Sequence, residues 1–182
     1  MTQDRTPSEA KPDGWEIEGL AANGPIADHA EKLKLFGQFV GDWEILECRN
    51  RKDDGTWSVQ RGKLHWRWIL EGRAVQDVWT MIDEKTGRSI PVGTTVRFYD
   101  PKINAWRSVW ISPVQGFVLP FIGRPVGSEI VLEGKNVQGY PIRWIFSEIT
   151  RTSFRWREEV LKDPQTGWEM DEEMRIRRAP GG

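Results

Sequence analysis

The sequence predicts an all-β protein, an up-and-down antiparallel barrel of about ten strands preceded by one N-terminal helix. From residue 42 onward, short runs alternate with period two between tight turns. Eleven tryptophans fall mostly in step along these runs, which is typical of a sheet face that lines a wide interior. No second helical layer follows, and closure into a barrel would remove the exposed edges of such a meander.

The 182 residues predict one folded domain with an extension at its N-terminus. Residues 1–25 are rich in Pro, Gly and Asp and have no hydrophobic period, so we expect an N-terminal arm there. Residues 26–182 form the predicted barrel domain. Trp15 and Ile17 are unusual in a polar arm, and we expect them to dock onto the barrel or onto a partner chain.

The elements follow in order along the chain. Residues 26–39 predict an amphipathic helix, because Ala30, Leu33 and Phe36 share one face and Gly41 can end it. Turn sequences such as Asp53-Asp54-Gly55 separate the strands. The predicted strands cover about residues 42–51, 57–71, 73–83, 92–100, 104–112, 115–122, 128–137, 140–150, 152–162 and 167–178.

Period two places most of the large apolar residues on one inward row of side chains. We expect the ligand-binding residues on that row to be Trp66, Trp68, Trp79, Phe98, Trp110, Trp144, Trp156 and Ser108. Trp168 falls on the same row, whereas Arg97, Asp171 and Glu173 fall on the outward one. Trp57 is out of step, which requires either a bulge near Gly62 or an outward Trp57. His65 and Arg67 then face outward, unless that bulge turns them in.

The predicted inward row contains acids but neither Lys nor Arg. These acids are Asp77, Glu148, Glu158 and Glu172. An acid among tryptophans loses hydration, so we expect a raised pKa and name Asp77, Glu158 and Glu172 as the candidate catalytic residues. A structural interpretation stands beside this one. Such carboxylates can be hydrated at a barrel mouth, pair with an Arg from a loop, or accept an indole N–H.

Composition excludes several functions. The charges nearly cancel, with 26 Lys and Arg against 27 Asp and Glu, so we expect neither a nucleic-acid nor a membrane partner. Cys48 is the one cysteine and is interpreted as a small strand residue. With one cysteine and two histidines in the sequence, a His/Cys zinc site is not expected. We expect no metal and no cofactor. The N-terminus has no apolar signal segment and no run approaches about 20 apolar residues, which predicts a cytoplasmic protein.

Three runs resemble a known family. LFGQFVGDWE at residues 35–44 resembles the L-x-x-L-x-G-x-W opening of the DUF1579 / lipocalin-like (calycin-type) proteins. WILEGRAV at residues 68–75 resembles the family's W-x-L-x-G-R-x-hydrophobic signature, and FYDP followed by WRSVW within residues 98–110 resembles its G-Y-D-x and W-x-x-x-W segment. The order and spacing agree over about residues 34–178.

The resemblance implies a helix that plugs one end of the barrel and a cavity inside it. Related barrels include lipid carriers, haem-binding nitrobindins and a few small enzymes. Nitrobindin-like proteins use a histidine near their last strands, and this chain has none after His65, so haem is not expected. A fatty-acid carrier is not expected either, because the predicted inward row offers no cation for a carboxylate.

Three functions fit these observations. The first is a cavity that binds a small neutral or cationic, apolar or aromatic molecule through stacking and cation–π contacts. The second is a cofactor-free acid–base enzyme in the same cavity, a lyase, dehydratase, isomerase or cyclase. The third is an interaction module with a filled core. The apolar segment 117–123 predicts either a lid over the barrel mouth or the contact of a homodimer.

Overall fold

The computed structural model describes residues 19–181 and confirms the all-β prediction. It contains one α-helix, α1 (Ala30–Gly37), and one short 3₁₀ helix at Leu70–Gly72. The ten strands are β1 (Gly41–Arg51), β2 (Trp57–Ile69), β3 (Ala74–Ile82), β4 (Ser89–Asp100), β5 (Ala105–Ser112), β6 (Phe117–Val126), β7 (Glu129–Lys135), β8 (Pro141–Ser147), β9 (Ser153–Asp163) and β10 (Gly167–Arg178).

The strands form a closed up-and-down barrel. Each strand pairs antiparallel with the next one along the chain, and β10 pairs with β1 to complete the ring. This closing pair runs from Trp43 opposite Arg178 to Asn50 opposite Glu172. All ten predicted strands are therefore present, with ends that differ by a few residues from the predicted ones.

The helix closes one end of this barrel. The Phe36 ring lies 4.9 Å from the Trp106 ring and 5.7 Å from the Phe146 ring, so it reaches strands on different sides. A Cβ at residue 37 would lie 2.5 Å from the Trp68 indole, so only glycine allows this approach. The helix begins at Ala30 and not at residue 26, because His29 is left-handed with φ of 60°.

The inward face of β2 is the predicted one. His65 and Arg67 lie outside, and both contact the Asp42 carboxylate, at 2.9 and 2.8 Å. The bulge lies in β1 between Ile45 and Cys48, because two of its residues face one residue of β2. Trp57 is outward, beside the Arg49 guanidinium at 5.0 Å.

The predicted facing of β4 is wrong. Thr95 and Arg97 point into the barrel, whereas Phe98 is 41% exposed and cannot line a cavity. Arg97 faces inward because Asp77 on the neighbouring strand pairs with it there. The prediction that the interior lacks a basic residue is therefore wrong as well.

Three other predicted facings are also wrong. A register shift between Met170 and Glu172 in β10 turns Asp171 to the mouth of the cavity beside Glu172, where its side chain stays partly exposed. Trp168 lies 37% exposed, with the Arg143 guanidinium 4.3 Å from its ring. Glu148 follows the end of β8 with φ of 52° and its side chain is exposed.

The outer surface of the barrel differs between its two sides. On β8, β9 and β10, opposite charges pair across strands, as where Arg155 Nε donates to Glu173 Oε1 at 2.7 Å. On β4, β5 and β6 the outward side chains are mostly apolar. Segment 117–123 is a paired strand of the wall with Val118 56% exposed, so the lid prediction is wrong.

The described part of the predicted arm, residues 19–25, contacts the barrel. Leu70 N–H donates to Gly19 O at 2.6 Å, and Ala22 pairs with Trp68 as an isolated bridge. Trp15 and Ile17 lie outside the described residues, and the domain boundary at residue 25 stays a prediction. No helix within residues 19–181 is long and apolar enough to cross a membrane.

Candidate ligand cavity

A cavity of about 330 Å³ lies inside the barrel, beneath the helix. It extends from Trp66 and Phe146, beside the helix, to the turn residues Gln115 and Asn136 at the other end. The volume is at the small end of the range for ligand sites in proteins. The third predicted function, a filled core, therefore does not describe this interior.

One wall of the cavity is a row of four indoles. Ring centroids are 5.8 Å apart for Trp79 and Trp110, 6.0 Å for Trp110 and Trp144, and 5.3 Å for Trp144 and Trp156. Trp110 fits because a Cβ at Gly93 would lie 2.5 Å from its ring. The row presents aromatic faces and edges that can stack on a flat ligand or contact a cation.

Two acids lie opposite each other on the next part of the wall. Glu158 and Glu172 are directly paired across β9 and β10. Trp144 Nε1 donates to Glu158 Oε2 at 2.5 Å, and Cys48 Sγ donates to Glu172 Oε1 at 3.2 Å. Within the part of the chain that the structure describes, no basic group forms a salt bridge with either acid.

Burial governs the protonation of this pair. Loss of hydration, followed by repulsion from Glu158, raises the pKa of Glu172 to about 8. Burial also raises the pKa of Glu158, against the hydrogen bond from Trp144. Burial and the neighbouring Glu172 raise the pKa of the Cys48 thiol, so Cys48 stays protonated and acts as a donor to Glu172.

Asp77 and Arg97 form a buried ion pair deeper in the barrel. Arg97 Nη1 lies 3.2 Å from each Asp77 oxygen, and both side chains are almost fully buried. The Arg97 guanidinium lies 4.4 Å from the Trp66 ring. Burial raises the pKa of Asp77, and the charge and hydrogen bonds of Arg97 oppose that shift. Asp77 is therefore engaged by a cation, unlike Glu158 and Glu172.

Several buried donors in the cavity wall have no acceptor among residues 19–181. They are Trp66 Nε1, Trp79 Nε1 and Arg97 Nε. The Ser108 hydroxyl, opposite Arg97 in the sheet, is also buried without a partner. Buried polar groups are nearly always hydrogen-bonded, so these unpaired groups, in residues that line the cavity or lie next to it, distinguish this part of the wall from the rest of the described barrel.

The structure brings most of the predicted site residues to one cavity: Trp66, Asp77, Trp79, Trp110, Trp144, Trp156, Glu158 and Glu172. Phe98 is outside, Trp68 packs under the helix, and Ser108 is buried without lining the cavity. Sequence reasoning missed Arg97 and Asn50, which also line it. Asn50 is two residues beyond the buried Cys48, so strand alternation could have identified it.

A second, larger depression lies at the helix end. This groove of about 1020 Å³ runs between α1 and the β4–β5 turn, beside Trp68 and Tyr99. It is open to solvent, and among residues 19–181 orphaned buried donors and acids without cations occur in the wall of the cavity and not in that of the groove. We therefore take the smaller cavity as the functional site.

Comparison with known proteins shows the fold. No protein-family model matches the chain, and no curated protein sequence matches it. The S-type phycobiliprotein lyase CPES from Guillardia theta has a similar structure at 10% sequence identity, with a TM-score of 0.54 over 81% of this chain and 91% of that chain. The closed barrel and this likeness give the chain a lipocalin-like, calycin-type fold, and the finer DUF1579 assignment stays a prediction.

Proposed function

We propose that this barrel binds a small neutral or cationic aromatic molecule in its interior cavity. One observation carries the proposal: a row of four indoles and two acids without cationic partners face the same space. Stacking on Trp144 and its neighbours would hold the ring of the ligand. Glu158 and Glu172 would then accept hydrogen bonds from a donor or pair with a positive group.

Arg97 changes the argument against anionic ligands but not its outcome. The sequence predicts an interior without a cation, whereas Arg97 lies inside the barrel. Its charge, however, is matched by Asp77 at 3.2 Å, whereas the acids Glu158 and Glu172 are not matched. Once these acids ionise, which for Glu172 is above about pH 8, an anion meets a net negative wall, and this opposes binding of free fatty acids and similar carboxylates.

Three probes of similar size test the charge preference: benzyltrimethylammonium, its neutral isostere neopentylbenzene, and phenylacetate. Isothermal titration calorimetry at about pH 8.5 is expected to rank the cation first and the anion last, since Glu172 is then largely ionised. Trp79→Ala should weaken the cation, and the matched control Trp168→Ala, outside the cavity, should not. Tightest binding of phenylacetate, or no binding of any probe, would contradict the proposal.

A second candidate function is acid–base catalysis in the same cavity, as in a cofactor-free lyase, dehydratase, isomerase or cyclase. It is favoured by the elevated pKa of Glu172, about 8, beside a second carboxyl group. Such a group can deliver or remove a proton near neutral pH. Its neighbour Glu158 would take the opposite role, because their mutual repulsion separates the two protonation steps.

Carbon-13 NMR titration of labelled glutamate tests this candidate before any substrate is known. Glu158→Gln and Glu172→Gln would assign the two resonances. Ordinary values near about 4 for both carboxyls would refute acid–base catalysis by this pair. The expected result is one titration step well above that value and lost in Glu172→Gln.

The remaining expectations keep their status as predictions. Size-exclusion chromatography with light scattering would measure whether the chain forms a homodimer. Absorbance of the purified protein tests the expectation of no cofactor, and the cytoplasmic location awaits fractionation of cells that produce it.

A further inference from the structure

We propose that the ligand is a bipolar aromatic molecule that binds in one orientation, with a neutral acceptor such as a carbonyl at Trp66 and Arg97 and a cation at Glu158 and Glu172. This inference rests on the proposed binding function and adds to it. It names the ligand's chemical class and its direction in the barrel. Each end of the cavity supplies one part of the argument.

The inner end supplies donors without acceptors. Trp66 is 1% exposed and Arg97 is 2% exposed, and in each a buried N–H lacks an acceptor within residues 19–181. Both residues line the cavity, and the guanidinium stacks 4.4 Å from the indole. In this structure neighbouring side chains close these N–H groups off from the cavity, so a ligand oxygen reaches them only when those side chains shift. An unpaired buried donor is costly, so the hydrogen bond then formed is worth more than one from a water-exposed donor.

The acceptor at this end is neutral. Arg97 donates from Nη1 to both Asp77 oxygens, and its Nε–H has no acceptor within the described residues. Asp77 therefore neutralises the charge of Arg97 but leaves one of its donors unpaired. A carboxylate placed here would lie close to Asp77 and would be repelled. A carbonyl or similar oxygen gains the hydrogen bonds without that repulsion.

The outer end supplies acceptors without cations. Glu158 and Glu172 face each other across two strands, and Trp144 and Cys48 hold one oxygen of each. Their remaining oxygens have no basic partner in the described chain. The indoles of Trp144 and Trp156 lie beside them, and aromatic faces near acids are a favourable site for an alkylammonium group.

The distance between the two ends selects the ligand's size. The Trp66 ring packs 6.2 Å from Phe146, and the bond to Glu158 comes from Trp144, two residues away on the same strand. Two residues along a strand span about 7 Å. A ligand with one aromatic ring and a substituent at each end suits this spacing of wall residues along β8 and a cavity of about 330 Å³.

Two probes that differ only in the acceptor test the orientation. They are (4-acetylbenzyl)trimethylammonium and (4-isopropylbenzyl)trimethylammonium, which share the ring, the cation and nearly the same shape. We expect the acetyl probe to bind wild-type protein about tenfold more tightly, the effect of one to two hydrogen bonds to buried donors. The ratio of the two Kd values is the quantity measured, by calorimetry.

Matched variants separate the two ends. Trp66→Phe keeps a ring and removes the N–H, so the acetyl preference should fall several-fold, whereas Trp106→Phe, buried outside the cavity, should keep it. Glu172→Gln should weaken both probes equally and leave the ratio unchanged. In wild-type protein the Trp66 indole N–H resonance should move downfield with the acetyl probe only, a readout that needs no folded variant at that position.

The outcomes distinguish this inference from the proposed function. Tight binding of both probes with a ratio near one would overturn the orientation and leave cation binding standing. The orientation would also be overturned if Trp66→Phe kept the full acetyl preference. Failure of both probes to bind would overturn the proposed function and this inference together.

Discussion

Binding of a permanently charged aromatic cation should depend steeply on pH, because one cavity acid must lose its proton first. The pKa of Glu172 is raised to about 8 by burial and by Glu158. At neutral pH most molecules therefore carry a neutral Glu172, which offers a cation little attraction. Benzyltrimethylammonium has no titratable group, so any pH dependence between about pH 6 and pH 9 comes from the protein.

The expected magnitude follows from the ionised fraction of Glu172. A group with a pKa of about 8 is roughly 1% ionised at pH 6, roughly 10% at pH 7 and mostly ionised at pH 9. If the cation pairs only with the ionised form, the apparent affinity rises about tenfold per pH unit between pH 6 and pH 7. Affinity is thus present above about pH 8 and lost as the pH falls through that value.

Calorimetric titration across this range checks the prediction. Glu172→Gln should bind the probe weakly with no steep dependence in the same interval. Glu169→Gln is the matched control, since Glu169 lies on the same strand but pairs with Arg51 on the outer surface. A flat affinity in wild-type protein, or an unchanged slope in Glu172→Gln, would refute the assignment of the titrating group.

Three further outcomes are expected. The pKa of Glu172 is higher in the folded than in the unfolded protein, so wild type should lose stability relative to Glu172→Gln as the pH rises from about 5 to 8. The expected loss in the free energy of unfolding is on the order of 1–3 kcal/mol after allowance for water at the cavity mouth, and urea unfolding measures it. Arg97→Met should cost about 3–5 kcal/mol by leaving Asp77 buried and unpaired, and the double variant with Asp77→Leu should recover much of it. Gly93→Ala should cost about 1–3 kcal/mol and weaken probe binding, because the new methyl group meets the Trp110 ring; unchanged stability would show that this ring is not packed as described.

The fold could be predicted from the sequence because the barrel is built from local signals. Alternation of apolar and polar residues identifies each strand, and turn residues such as those at 53–55 mark where each strand ends. All ten strands can therefore be predicted without any long-range contact being known. The helix was predicted too long because His29 and Ile26 are governed by contacts with distant parts of the chain. Ile26 N–H, for example, donates to Gly72 O at 3.2 Å, a contact that no local pattern contains.

The site could be predicted only where alternation coincides with burial. Trp144 and Glu158 were placed correctly because their strands are regular. On β4 the rule that apolar residues face inward failed, since Phe98 was assigned to the interior and Arg97 to the surface. The buried charge of Arg97 is stabilised by Asp77 on β3, and the hydrophobic pattern within β4 cannot predict a partner on another strand.

The position of β10 has a consequence for when the site exists. This strand pairs with β1 from Trp43 to Asn50, and it also carries Glu172. The barrel can close, and Glu172 can pair with Glu158 across β9 and β10, only after residues up to Arg178 have left the ribosome. A nascent chain that stops before this strand has an open sheet and half of the carboxyl pair. Ligand capture in this cavity therefore requires that β10 has joined the sheet, and a probe that binds before that point would have to bind elsewhere.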